Sequence, residues 1–282
     1  MVYVPTRDQG YGFHREAVDA AVERGCDVVV TVDCGVSSRD TVKYAREKGL
    51  TVVVADHHRF DEAPPGCLLV HPRNWENQHL CGAAVAYKIA RAMGMPEQPF
   101  VQYAAVATVA DVVLLTEENR AIVRKGFDSD LVPGLRALAE KLTTESVSFR
   151  VAPKLNAAGR VGNPLLALKI LLAPDRAAAE PVAAELEKLN GFRKEAVEKA
   201  MESAGDRVSV VDCSPGIVGL VAARLVEKFG LPCVALTLDG RGSARAPEGF
   251  DLADILKKCP SVERFGGHAR AAGLEVLPER VD

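Results

Sequence analysis

Two runs of mostly β-branched apolar residues, DVVVTVD (27–33) and TVVVA (51–55), constrain this chain of 282 residues more than any other feature. Both are short and neither alternates with polar residues, the pattern of strands buried on both faces. Between them, a helix capped by Ser37 or Ser38 runs to about Lys48 and stops at Gly49. A strand, a crossover helix and a second strand at this spacing predict parallel neighbours. CLLVH (67–71) reads as a third strand. REAVDAAVER (15–24) reads as a helix closed by Gly25, and 82–93 and 98–110 as two further alanine-rich helices. The expected fold class is α/β, a doubly wound, mostly parallel sheet.

From Asp175 to Ala204 the pattern turns strongly helical, with Pro181 marking a second helix start near its beginning. New strands follow at 207–212 and 233–239, separated by the helix VGLVAARLVEKFG. The expected organisation is a first domain over 1–174, a helical connector over 175–204 and a smaller α/β domain over 205–282. Net charge is only −3, so contact with nucleic acid has to come from local clusters of Arg and Lys. The seven cysteines show no CxxC spacing and mostly sit in apolar stretches, as reduced core thiols of a cytoplasmic protein do. The first residues lack a signal core, and the apolar run 101–115 is too short and too polar to span a bilayer.

Asp33 ends the first apolar run and Asp56, His57 and His58 follow the second. If the strands are parallel neighbours, all four side chains gather at the carboxyl edge of the sheet, where open α/β sheets place their ligand crevice. Carboxylates with imidazoles suit Mn²⁺ or a similar divalent ion. Asp111, in the apolar stretch TVADVVLL, is a third candidate carboxylate whose charge a cation would compensate. Taken singly, each has a plainer explanation: a helix cap for either Asp, a structural role for the His pair.

In order along the chain, VTVDCG, ADHH, ATVADVVLLTEENR, PKLNAAGR and GGHARAAG resemble the successive motifs of RecJ-like exonucleases of the DHH phosphoesterase superfamily. The resemblance covers nearly the whole sequence. It implies hydrolysis of phosphodiesters with two divalent ions, Mn²⁺ or Mg²⁺, roughly 3.5–4 Å apart. By that resemblance Asp33, His57 and Asp111 are metal ligands, His58 contacts phosphate or a metal ligand, and Asp56 orients the histidines. Arg160 lies at the scissile phosphate, with Asn156 as a substrate contact. Ser243 and Arg245, in GRGSARAPEGFDL, bind the terminal phosphate of the strand, and His268 in GGHARAAG donates to phosphate through a glycine-rich turn. Arg7, in YVPTRDQGYG, contacts the strand's end. Arg160 is expected to face Arg245 and His268 across a groove.

The implied substrate is single-stranded nucleic acid with a 5′-phosphorylated end, degraded 5′ to 3′ in recombination and repair, with repair or replication proteins as partners and no membrane. The family's first motif, an Asp-rich DxDxDG segment, and its OB-fold find no counterpart here, and no His stands near Ser214 as in relatives. The chain is therefore expected to be N-terminally incomplete and, by itself, weakly active or inactive. Two other functions compete: an oligoribonuclease or dinucleotide phosphodiesterase, and a non-catalytic RecJ-related scaffold of a replication complex.

Overall fold

A computed structural model describes residues 1–6 and 9–277, the side chain of His268 excepted. By their contacts these residues divide into two compact units, 1–155 with 168–183, and 156–167 with 184–282.

In the first unit, α1 (Arg15–Glu23), β1 (Val28–Val32), α2 (Arg39–Glu47), β2 (Thr51–Ala55) and β3 (Leu68–Val70) come in the predicted order. The three strands form a parallel sheet in sequence order, Val30 opposite Val53 and Val53 opposite Leu68. Gly25 and Gly49 take the left-handed conformation, with φ of 65° and 87°, that lets the chain leave α1 and α2. One face of the sheet packs Val29, Val52, Val54 and Leu69 against Val18, Ala21, Val42 and Ala45 of α1 and α2. On the other face Ala55 and Val70 meet α3 (Gly82–Ala92) and α4 (Phe100–Ala110) through Ala84, Val85, Ala104 and Ala105. Helices on both faces make the sheet doubly wound, as the apolar runs imply.

One expectation fails in detail. Val28, Val30 and Val32 are each about half exposed, so β1 is buried on one face only. The cause is its place at the edge of the sheet, where uninterrupted valines satisfy strand propensity without requiring two covers.

Beyond α4 come α5 (Glu117–Phe127), α6 (Pro133–Leu138) and α7 (Thr144–Ser146), which passes through a π turn at Val147–Val151 into α8 (Ala152–Val161). PKLNAAGR thus lies on a helix. Then follow α9 (Leu165–Leu171) and α10 (Arg176–Ser203), a single helix of 28 residues with Pro181 inside it rather than a helix broken at that proline.

In the second unit a five-stranded sheet has the order β4–β5–β6–β8–β7. Here β4 (Val208–Val210) and β5 (Cys233–Leu236) are parallel, joined by α11 (Val218–Phe229). The remaining strands, β6 (Arg241–Arg245), β7 (Val262–His268) and β8 (Ala271–Val276), pair antiparallel, with α12 (Leu252–Leu256) between β6 and β7. The two glycine-rich motifs are therefore strands. A Cβ on Gly242 would come within 2.4 Å of Leu236 Cδ2, and one on Gly267 within 2.4 Å of the Ala271 carbonyl oxygen. Close neighbours demand those glycines, and Gly267 also has φ +148°. Among the described residues no helix is long and apolar enough to cross a membrane, and all seven cysteines are free thiols.

Candidate metal centre

The carboxyl edge of the parallel sheet is built from two turns. After β1 the chain reverses at Asp33, whose φ of 62° is left-handed, and at Gly35, φ 108°. Thr31 closes this turn by donating its hydroxyl to the Cys34 carbonyl at 2.8 Å. A Cβ on Gly35 would strike that hydroxyl at 2.6 Å, so VTVDCG encodes its own turn. After β2, Asp56 is buried, 1 % exposed, and gathers four donors. Its Oδ2 accepts from the Val36 N–H at 3.0 Å. Its Oδ1 accepts from the His57 N–H at 2.7 Å, the His58 N–H at 3.2 Å and His58 Nδ1 at 2.7 Å. Burial alone would raise this carboxyl, but the bonds from His58, Val36 and His57 override it and hold the pKa at about 2. Asp56 therefore ties the two turns together and fixes the rings beside it.

The edge brings Asp33, His57, His58 and Asp111 together. His57 Nε2 stands 3.2 Å from Asp33 Oδ1 and 3.8 Å from Asp111 Oδ2. Asp33, His57 and His58 each offer a donor atom, all within 4.8 Å of one another. Burial lowers the affinity of His57 for a proton, yet the hydrogen bond and charge of Asp33, with Asp111 and Asp56 behind it, leave its pKa raised. Asp111, at the C-terminal end of α4, is half exposed rather than buried in an apolar stretch. Its pKa is raised, first by burial and then by Asp33, against the pull of His57. Carboxylates that oppose one another across an imidazole are the environment a divalent cation relieves. The donor set fits such an ion.

Three features go beyond the sequence-based expectations. Tyr11 donates its hydroxyl to the Asp33 carbonyl and lies 3.0 Å from His58 Nδ1; the GYG context was the available signal. Gly82, at the start of α3, cradles Asp33, since a Cβ there would come within 2.1 Å of Asp33 Oδ1. Val112, next to Asp111, holds a φ of 53°, which is costly for a β-branched residue.

The remaining candidates lie in the second unit or outside the described residues. Asn156 is exposed on α8, and Arg160 on the same helix donates to the Gly216 carbonyl at 3.1 Å. Both belong by contacts to the second unit, as do Ser243 and Arg245. Arg245 donates to Ser243 Oγ at 2.6 Å and to the Ala244 carbonyl at 2.8 Å. Burial lowers its pKa. Arg7 and the side chain of His268 lie outside the described residues; the His268 backbone pairs with Ala271 at the end of β7.

Comparison with known families matches two models in order: the DHH family N-terminal domain over residues 1–115 and the DHHA1 domain over 207–282. The single-stranded-DNA-specific exonuclease RecJ of Bacillus subtilis is 34% identical over 99% of this chain and 40% of its own length. The Escherichia coli exonuclease of the same name is 31% identical over 98% of this chain and 58% of its own length. The chain thus spans about half the length of these curated relatives. RecJ from Thermus thermophilus in complex with Mn²⁺ superimposes with a TM-score of 0.83 at 31% identity, over 93% of this chain and 44% of that one. A manganese-bound exonuclease RecJ gives a TM-score of 0.81 at 32% identity, over 99% of this chain and 78% of that one. With both domains in order and a relative of this identity mostly covered, the chain belongs to the RecJ-like group of the DHH family.

Proposed function

We propose that this protein is a divalent-metal-dependent phosphodiester hydrolase that degrades single-stranded DNA from a 5′-phosphorylated end, working in the cytoplasm beside repair or replication proteins. The observation that carries the reading is His57 Nε2 held 3.2 Å from one carboxylate and 3.8 Å from another at the carboxyl edge of a parallel sheet. It is supported by relatives named as single-stranded-DNA-specific exonucleases and by relatives whose structures contain Mn²⁺ or Mg²⁺.

In this reading Asp33, His57 and Asp111 hold the ion. A bound Mn²⁺ would supply a water acidic enough to ionise near neutral pH and a positive charge beside the attacked phosphate. Asp56 keeps His57 and His58 in register by accepting from both backbones and from the His58 ring. His58, its Nδ1 bound to Asp56, is oriented to contact phosphate or a ligand of the ion. Arg160 supplies a guanidinium for the scissile phosphate, with Asn156 beside it on α8. Ser243 and Arg245 take the terminal phosphate; a half-buried guanidinium with a hydroxyl at 2.6 Å is suited to an anion. Arg7 and His268 are assigned to the same strand end by resemblance.

Asp33, His57 and Asp111 amount to a ligand set for one ion, so slow turnover is expected from the described residues alone. The test is Mn²⁺-dependent release of mononucleotides from a 5′-phosphorylated single-stranded oligonucleotide, beside the Asp33→Ala variant. Cleavage that needs Mn²⁺ and disappears in Asp33→Ala supports the reading. Cleavage unchanged in the variant, or confined to very short RNA, overturns it.

A further inference from the structure

A cavity of about 1160 Å³ opens beside His57 in the first unit. Its walls carry Arg39, Arg59, Phe60, His71, Arg73 and His79. Two acids also line it, Asp61 and Glu62, and Glu62 is taken by Arg39 at 2.6 Å. Against the remaining Asp61 stand Arg59 and Arg73, both exposed. Arg59 has no hydrogen bond or ion pair among the described residues.

Arg73 is held in place. Its guanidinium lies 4.9 Å over the Phe60 ring and donates to the Phe60 carbonyl at 3.3 Å. The His71 ring meets Phe60 edge-on at 5.0 Å. The Arg73 N–H donates to His71 Nδ1 at 2.9 Å, which leaves His71 Nε2 as the donor to the His58 carbonyl at 3.0 Å. The stack is thereby tied to the histidine pair through one imidazole. A guanidinium placed over an aromatic ring leaves its outer side open to another π system, and nucleobases of any sequence can use it. Exposed Val112 and Leu114 add apolar wall to the same cavity.

We propose that this cavity is a nucleotide subsite for the single strand. A base stacks on the outer face of the Arg73–Phe60 pair, and Arg59 takes a backbone phosphate. The inference rests on the hydrolase reading and extends it by naming where the strand is gripped beside the ion. Its volume exceeds that of most small-molecule pockets, so it has room for more than one nucleotide.

The test is equilibrium binding of a 5′-phosphorylated ten-nucleotide oligothymidylate labelled with fluorescein at its 3′ end, by anisotropy over a salt series, with Mn²⁺ binding and melting temperature measured on the same samples. Wild type is compared with Arg59→Ala, Arg73→Ala, the double variant, and Arg24→Ala as a control for lost charge. The double variant is expected to bind at least about tenfold more weakly, with a shallower salt dependence and unchanged Mn²⁺ affinity. Arg73→Lys is expected to recover only part of the loss, because an ammonium does not stack as a guanidinium does. Double-variant affinity within about twofold of wild type, or equal to that of Arg24→Ala, overturns the subsite. If cleavage still disappears in Asp33→Ala, the hydrolase reading survives that result. A wild type that neither binds nor cleaves the oligonucleotide overturns both.

Discussion

Replacing Asp56 by asparagine tests whether the candidate centre is held together as its hydrogen bonds indicate. The carboxylate is 1 % exposed and accepts from three backbone N–H groups and one imidazole. Burial works against its ionisation, and those donors more than offset the penalty, lowering the pKa from 3.8 to about 2. A carboxyl with a depressed folded-state pKa contributes stability that is complete above its unfolded value. That stability is lost as the pH falls through the folded value. A shift of nearly two units corresponds to about 2 kcal/mol at pH 7. An asparagine at this position could not carry the charge, and its amide would present N–H to donors already crowded there. Urea denaturation in chelator, followed by circular dichroism, should show Asp56→Asn about 2 kcal/mol less stable than wild type at pH 7. The gap should narrow as the pH drops from 4 towards 2, because only the wild type loses this contribution. A variant within about 0.5 kcal/mol of wild type at pH 7, or a gap that stays constant with pH, would refute the reasoning.

Two further substitutions probe the geometry around Asp33 and Asp111. Gly82→Ala puts a methyl group 2.1 Å from Asp33 Oδ1, so the carboxylate must move; Mn²⁺ affinity should fall at least about tenfold while circular dichroism stays unchanged, and unaltered affinity would show that Asp33 does not need that cradle. Val112→Gly removes a β-branched side chain at φ 53° and should raise the unfolding free energy by about 1 kcal/mol, strain relief exceeding the added chain entropy; a less stable variant would contradict it.

Much of the first unit was legible because valine runs and helix-ending glycines are local signals, although the Ser38 hydroxyl accepts from the Phe13 N–H rather than capping α2. The strands at 27–33 and 51–55 and the glycines that end α1 and α2 needed no tertiary information. The placing of Asp33 and His57 at one sheet edge followed from parallel pairing alone. What escaped depended on neighbours distant in sequence. The half-exposed face of β1 reflects its position at the sheet edge, which a run of valines does not encode. The motif GGHARAAG reads as a turn because glycine disfavours strands, yet its Gly267 lies on β7 with β8 so close that a Cβ would come within 2.4 Å of the Ala271 carbonyl oxygen. Asp33 and Val112 adopt left-handed backbone without being glycine, a choice imposed by the turns around the centre and invisible to residue propensity. Chain order places Arg160 with the first domain, since PKLNAAGR precedes the long helix, whereas by contacts α8 from Asn156 onward groups with the second unit.

The central claim is that Asp33, His57 and Asp111 hold a divalent ion. Electron paramagnetic resonance measures it directly, since Mn²⁺ loses its free-ion signal on binding. Titration of the metal-free protein should show a saturable site, with a melting temperature that rises as Mn²⁺ is added. Asp33→Ala and Asp111→Ala should each weaken binding about tenfold or more and abolish the rise in melting temperature. A wild-type protein that leaves the Mn²⁺ signal intact, or variants that bind as tightly as wild type, would contradict the assignment.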